Sequence, residues 1–127
     1  MILLEEVLVY HTALIKKYGG SDGIRDDGLL LSALARPFMT FDQQDLYPTP
    51  TGKAAAIFES MVINHPFLDG NKRIAFFLLR LILLDHDMDV AAGEDEKYDF
   101  TIAASMGKLD FDKIKAWIDS KLISIRP

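Results

Sequence analysis

The chain has 127 residues, which is enough for a single domain, 1–127, with one hydrophobic core. Half of its residues are hydrophobic and 26% are charged, a balance that excludes disordered and collagen-like proteins. The net charge of −5 argues against direct binding of nucleic acid, which requires a basic surface. Because the sequence has no cysteine, disulfides, thiolate zinc sites and a cysteine nucleophile are excluded.

No segment has the features of a membrane span or a secretory signal. The longest apolar stretch, Ile74 to Leu84, is interrupted by Arg80 and is far shorter than the roughly 20 residues that a span needs. The apolar N-terminal residues run directly into Glu5 and Glu6, whereas a signal peptide begins with basic residues. We therefore expect a cytoplasmic protein that does not bind membranes.

The spacing of apolar residues is helical along most of the chain and predicts an all-α fold. The predicted helices span about 4–18, 27–35, 51–64, 71–85, 96–105 and 110–122. The helix at 71–85 is apolar on all sides, which is typical of a central helix surrounded by the others. We expect a compact bundle of about six helices around it, without a strand of convincing length.

Two segments between the helices lack periodicity. Residues 37–52 contain three prolines and predict a flap-like loop, which either pairs with a peptide target or only connects two helices. Residues 85–96 are polar and predict a flexible, solvated turn outside the core. We expect no metal at His86 within that turn, although aspartates surround it.

The segment with the most reactive side chains lies between the third and fourth predicted helices and reads HPFLDGNKR, residues 65–73. The N-terminus of a helix attracts anions through its free N–H groups and its dipole. Gly70 allows close approach of the backbone, Asn71 can cap the helix or bind a ligand, and Lys72 and Arg73 add positive charge. This pattern predicts a phosphate-binding cradle.

Two further residues of this segment predict catalysis. Asp69 beside phosphate is suited to Mg²⁺, which binds one or two carboxylates together with phosphate oxygens. His65 can accept a proton from a hydroxyl at neutral pH. Such a set suits transfer of a phosphorus group to an alcohol. The alternative is an ordinary turn with solvated charges, but cations at a helix N-terminus oppose the dipole and need a compensating anion.

These nine residues resemble the signature of the Fic superfamily, H-P-F-x-[DE]-G-N-G-R-x-x-R, and more specifically its death-on-curing branch. Two positions differ from the general signature: Lys72 replaces a glycine and Phe76 replaces the second arginine. Both differences resemble the death-on-curing pattern H-x-F-x-D-x-N-K-R. The segments at 23–37 and 45–55 also resemble the family, so the resemblance extends over nearly the whole chain.

The resemblance implies a helical Fic fold and a toxin of a toxin–antitoxin pair that transfers the γ-phosphate of ATP to a hydroxyl of a protein in the translation machinery, an elongation factor being the expected class. By the same resemblance, His65 is the base, Asp69 binds Mg²⁺, and Asn71, Lys72 and Arg73 hold the phosphates, with Gly70 in the cradle. Two alternatives stay open, an AMP transferase and a catalytically idle domain that binds an anion or a partner.

The resemblance also bears on control of the activity. Many AMP-transferring Fic proteins carry an inhibitory helix with the pattern [ST]-x-x-x-E-[GN], and no glutamate of this sequence follows a serine or threonine at that spacing. We therefore expect inhibition by a separate antitoxin whose C-terminal segment folds into a groove near the active site.

Several residues outside the motif are expected to be structural. His11 lies on the apolar face of the first helix and is expected to be packed in the core. Arg80 is expected to form a buried ion pair rather than to bind phosphate. Arg25 and Asp26 are expected to have a mutual structural role in their loop, and the aromatic residues of the last helix to belong to the core. These aromatic residues are Phe111 and Trp117.

Overall fold

A computed structural model describes residues 1–126. Over this range the chain forms six α-helices, so the predicted all-α class is confirmed. The helices are α1 (Leu4–Tyr18), α2 (Asp27–Ala35), α3 (Pro50–Asn64), α4 (Asn71–Leu84), α5 (Glu94–Ser105) and α6 (Phe111–Lys121). A short 3-10 helix, Arg36–Phe38, extends α2.

Side chains just before three of the helices explain where those helices begin. Asp26 accepts a hydrogen bond from the N–H of Leu29, and Thr49 and Asp110 make the equivalent contacts at α3 and α6. Each contact satisfies one N–H group that has no partner inside the helix. Asp26 is thus a helix cap rather than a partner of Arg25, which corrects the mutual role predicted for that pair.

The centre of the fold is formed by α3 and α4, which pack against each other along their length. Three consecutive alanines, Ala54, Ala55 and Ala56, are fully buried in α3 and allow close approach of its neighbours. On α4 the buried residues are Ile74, Ala75, Leu78, Leu79, Ile82 and Leu83. The remaining face of α4, including Phe76 and Phe77, is only partly buried and borders a groove.

Aromatic stacking connects this centre to the last two helices. Phe100 of α5 lies parallel to Phe58 of α3 at a centroid distance of 4.8 Å. On its other side Phe100 stacks on Trp117 of α6, at 3.8 Å. Phe111 is partly buried against the core and contacts Tyr47. Phe111 and Trp117 of the last helix thus pack against the core, as predicted, but both are only partly buried.

Residues 85–96 differ from the predicted flexible turn. They include strand β3 (Met88–Val90), which pairs antiparallel with β4 (Leu122–Ser124), and they end in the first turn of α5, which begins at Glu94. Val90 is buried. The alternation of apolar and polar residues at 88–90 is too short to predict a strand, so only the pairing with a distant segment makes it one.

Residues 37–52 also contain more structure than a loop. Strands β1 (Thr40–Phe41) and β2 (Gln44–Asp45) form a small hairpin. Its turn residues, Asp42 and Gln43, both have positive φ, as in the two-residue turns typical of hairpins. Phe41 is 76% exposed on this hairpin, which makes it available to another molecule.

Candidate active site

A groove of about 760 Å³ opens along the exposed face of α4. The C-terminal half of α1 and residues 94–102 of α5 form its two sides, and the loop between α3 and α4 lies at one end. Its lining residues include Leu14, Tyr18, His65, Asp69, Lys72, Arg73, Phe76, Phe77, Arg80, Lys97 and Tyr98. The structure thus brings the predicted site residues to one end of a single groove, together with residues from two other helices.

His65 ends α3 and lines the groove. Its backbone is in the left-handed region, with φ 48° and ψ 60°, which residues other than glycine rarely adopt. The residue is exposed, and within the described part of the chain its imidazole forms no hydrogen bond or ion pair. The ring is therefore available to a substrate at the groove end.

The carboxylate of Asp69 is exposed but is oriented by two backbone N–H groups. Gly70 N–H donates to Oδ1 at 3.0 Å, and Ser21 N–H donates to Oδ2 at 3.2 Å. Gly20 lies so close that a Cβ there would be 2.8 Å from Oδ2, and its φ of +116° also requires glycine. The loop after α1 therefore determines how this carboxylate is presented.

The backbone of Asp69 is held from behind by His11. Nε2 of His11 donates to the Asp69 carbonyl oxygen at 2.7 Å, and the ring stacks on Phe67 with a centroid distance of 3.7 Å. Nδ1 lies 3.4 Å from a carboxylate oxygen of Asp22, whose pKa is lowered mainly by a hydrogen bond from Thr12. His11 is buried, as predicted, but the sequence did not indicate its contact with Asp69.

Asn71 and Gly70 shape the loop from inside. The Asn71 side chain accepts from the N–H of Phe67 at 2.9 Å and donates to the Phe67 carbonyl at 3.0 Å, so both its amide groups are used within the loop. Gly70 precedes α4 with φ +74°, and a Cβ there would lie 3.0 Å from Cδ1 of Ile15. Only glycine combines this backbone conformation with such close packing.

Lys72 and Arg73 are exposed in the first turn of α4, and neither forms a salt bridge within residues 1–126. The guanidinium of Arg73 lies over the ring of Tyr18, 4.1 Å from its centroid. The first helical hydrogen bond runs from Ile74 N–H to Gly70, so earlier N–H groups of the helix have no partner inside it. Free N–H groups and two cations at the start of a helix are suited to an anion.

Arg80 lies farther along the same helix and is committed to an ion pair. Its guanidinium makes two hydrogen bonds to Asp89 of β3, at 3.0 and 2.7 Å. The predicted ion pair is confirmed, but the Arg80 side chain is 43% exposed rather than buried. The hydrogen bonds from Arg80 lower the pKa of Asp89, and those to Asp89 raise the pKa of Arg80.

The α5 side of the groove was not predicted from the sequence. Lys97 and Tyr98 border it, with the Lys97 ammonium 5.8 Å from the ring centroid of Phe76. These residues belong to a helix more than 20 positions after the motif, and no local pattern indicates that they face it. Phe76 occupies the position where the general signature has its second arginine.

Among residues 1–126, no group of three or more His, Cys, Asp or Glu side chains is placed to hold a metal ion. No helix in residues 1–126 combines the length and apolar character that crossing a membrane requires.

Comparison with known proteins identifies the family of this chain. The family model of the Fic/DOC family matches residues 2–83, which include the motif, all of α1 to α3 and nearly all of α4. The chain belongs to the Fic/DOC family. The match covers the loop after α1 as well as the motif, so both sides of the Asp69 environment fall within the Fic/DOC region.

A relative within this family is Toxin Doc of Mycolicibacterium smegmatis (strain ATCC 700084 / mc(2)155). The two sequences are 42% identical over an alignment of 84 residues, and the alignment covers 61% of this chain and 65% of the relative. The alignment thus spans slightly less than two thirds of the relative. In the Fic/DOC chain described here, α5 and α6 lie beyond the residues that the family model matches.

Proposed function

We propose that the protein is the toxin of a toxin–antitoxin pair, acts in the cytoplasm, and transfers the γ-phosphate of ATP to a hydroxyl of a protein target. The observation that carries the proposal is the groove end where His65, Asp69, Lys72 and Arg73 meet. A relative named as a toxin supports the biological part of the proposal. An elongation factor is the proposed target class, with arrest of protein synthesis as the result.

The phosphate groups of ATP would be held at the start of α4. Lys72 and Arg73 supply positive charge, and the N–H groups before Ile74 supply donors. Since both amide groups of the Asn71 side chain bond to Phe67, we assign that side chain to shaping the cradle and leave phosphate contact to its backbone N–H. Gly70 permits the turn that aims these groups into the groove.

Asp69 fits a magnesium ion that arrives with ATP. One exposed carboxylate without a neighbouring acidic cluster is too little for a site built from protein alone. It suits Mg²⁺, which is commonly held by one or two carboxylates and by the phosphates of the substrate. When bound, Mg²⁺ would neutralise part of the charge on the phosphates. The N–H groups of Ser21 and Gly70 fix the orientation in which Asp69 would meet it.

His65 is assigned the role of general base. Its imidazole would accept the proton of the target hydroxyl, whose oxygen attacks the γ-phosphorus while the bond to ADP breaks. Because the ring has no partner among the described residues, it is available for that proton. The exposed hairpin β1–β2 is proposed to hold the target peptide by strand pairing.

Two differences from the general Fic signature favour transfer of phosphate over transfer of AMP. Lys72 occupies space that glycine leaves free, and it adds a charge for terminal phosphates. Phe76 cannot bind phosphate as the second arginine would. AMP transfer is the alternative. The mass added to the target distinguishes the two reactions, because phosphate adds about 80 Da and AMP adds about 329 Da.

An antitoxin is proposed to cover the groove. Tyr18 and Tyr98 border it with half or more of their surface exposed, and Phe76 and Phe77 form an apolar floor. An amphipathic segment that folds on binding fits such a surface. Lys72 and Arg73 at the groove end favour acidic residues in that segment.

The transfer test uses γ-labelled ATP, Mg²⁺ and a bacterial lysate, with His65→Ala as the inactive variant and His86→Ala as the matched histidine control. We expect one labelled protein with wild type and with His86→Ala, and none with His65→Ala. Label from α-labelled but not γ-labelled ATP would favour AMP transfer. Absence of both labels would favour the idle-domain alternative.

The toxin test is expression in bacteria without any partner protein. We expect growth and translation to stop with the wild-type chain and to continue with His65→Ala. If the wild-type protein is soluble and folded in these cells and growth is unaffected, the toxin proposal is wrong.

A further inference from the structure

Arg25, in the loop before α2, contacts the end of α3 where His65 is located. Its Nε donates to the His65 carbonyl oxygen at 2.7 Å, and its Nη2 donates to the Asn64 carbonyl oxygen at 2.5 Å. Carbonyl groups at a helix C-terminus have no partner inside the helix and carry its negative dipole end. A guanidinium that holds two of them makes charge-assisted hydrogen bonds there.

His65 needs such support because of its backbone conformation. It is the only residue of the 60–70 region other than Gly70 with positive φ, and Pro66 follows it directly. A proline disfavours helical conformations in the residue before it, and a left-handed conformation is itself unfavourable for a residue with a Cβ. The direction of the His65 side chain depends on this conformation.

The backbone of the Arg25 loop is fixed against the motif loop. The N–H groups of Arg25 and Asp26 both donate to the Pro66 carbonyl, at 2.8 and 3.0 Å. Ile24 forms an antiparallel bridge with Phe67, and Leu68 N–H donates to Gly23 at 3.0 Å. These backbone contacts fix the position of Arg25, so its side chain reaches the carbonyl groups at the end of α3 from a defined point.

We propose that Arg25 is a positioning residue that sets the direction of the His65 imidazole. This inference rests on the proposed function, in which His65 is the base. Arg25 is not among the residues that line the groove, and its hydrogen bonds go to backbone carbonyls. It therefore acts through His65 and does not contact the ATP that the groove would hold.

The exposure of Arg25 separates this role from a purely structural one. Its side chain is at the surface, so water can replace its hydrogen bonds when the side chain is removed. Arg25 is not part of the hydrophobic core, so its removal leaves the core contacts intact. A misplaced base, in contrast, slows the chemical step by up to about 100-fold. Loss of Arg25 should thus lower kcat while leaving the melting temperature and the KM for ATP nearly unchanged.

The test compares Arg25→Ala and Arg25→Lys with Arg126→Ala, which removes an exposed arginine paired with Asp87 near the opposite end of α4. Transfer kinetics, melting temperature and the imidazole NMR signals are measured for each variant. The chain has three histidines, so each imidazole can be followed separately. Added guanidinium is tested for rescue of Arg25→Ala.

We expect Arg25→Ala to lower kcat by about 10- to 100-fold, to shift the His65 signals, and to leave those of His11 and His86 in place. Arg25→Lys should lose less activity, guanidinium should restore part of the rate, and Arg126→Ala should match wild type.

An unchanged kcat or an unmoved His65 signal would each overturn the inference. A fall in kcat that is accompanied by a higher KM for ATP and a lower melting temperature would also overturn it. If Arg25→Ala does not fold, Arg25→Lys decides by the same measurements. If the wild type transfers nothing, the proposed function fails, and the His65 signals alone still decide whether Arg25 positions this residue.

Discussion

Nε2 of His11 donates a hydrogen bond of 2.7 Å to the carbonyl oxygen of Asp69, across 58 positions of sequence. The same ring stacks on Phe67, so His11 contacts the motif loop through both its face and its edge. A buried histidine of the first helix thus supports the backbone of Asp69, the residue proposed to bind Mg²⁺.

Replacing His11 by phenylalanine tests this support. The variant keeps an aromatic ring on Phe67 but leaves the Asp69 carbonyl without its donor. We expect the free energy of unfolding in urea to fall by about 1–2 kcal/mol, because a partly buried carbonyl loses its hydrogen bond. Tyr10→Phe, on the same helix, is the control and should change it by less than about 0.5 kcal/mol. Equal values for the two variants would show that the hydrogen bond does not stabilise the fold.

Lys72 is expected to be required for transfer. Its ammonium opposes the dipole at the start of α4 and has no acidic partner among the described residues, so an anion is its natural counterpart. Lys72→Ala should lower the transfer rate by about 100-fold or more, with an unchanged melting temperature. Lys113→Ala, at an exposed lysine of α6, is the control. Full activity of a folded Lys72→Ala protein would remove Lys72 from the proposed site.

Gly70 and Gly107 form a matched pair for measuring packing behind the motif. Both have nearly the same φ, +74° and +75°, but a Cβ at Gly70 would meet Ile15 at 3.0 Å, whereas nothing lies within 4 Å at Gly107. Gly107→Ala should cost about 1–2 kcal/mol for the left-handed backbone alone. Gly70→Ala should cost more, as measured by urea unfolding. A smaller loss of unfolding free energy for Gly70→Ala than for Gly107→Ala would mean that the Ile15 side chain moves away from the added methyl group at little cost.

The Arg80–Asp89 pair predicts a contribution to stability that depends on pH. Its hydrogen bonds lower the pKa of Asp89 in the folded protein, so the contribution is complete above the unfolded value, about 3.9, and is lost as the pH falls through the lower folded value. At pH 7 we expect Asp89→Asn to cost about 1–2 kcal/mol, allowing for the partial exposure of Arg80.

The measurement for this pair is urea unfolding between pH 7 and pH 2. The difference between wild type and Asp89→Asn should be constant down to about pH 5 and should shrink towards pH 2. Asp99→Asn, at an exposed carboxylate of α5, serves as the control and should show no such convergence. A difference that does not change with pH would mean that the ion pair is not its cause.

Much of this protein could be predicted from local sequence alone. The apolar periodicity predicted six helices with bounds close to those observed, because amphipathic periodicity reports directly on which face is buried. The nine residues of the motif are contiguous, so His65, Asp69, Lys72 and Arg73 could be predicted to lie close together without any knowledge of the fold.

Only the tertiary structure decided which distant residues surround that motif. The bonds from Arg25 to His65 and from His11 to Asp69 join residues 40 and 58 positions apart. The strand at Met88–Val90 exists because Leu122–Ser124 pairs with it. Periodicity identifies the face that an element buries but not the element that covers it, since that choice depends on the packing of all six helices together.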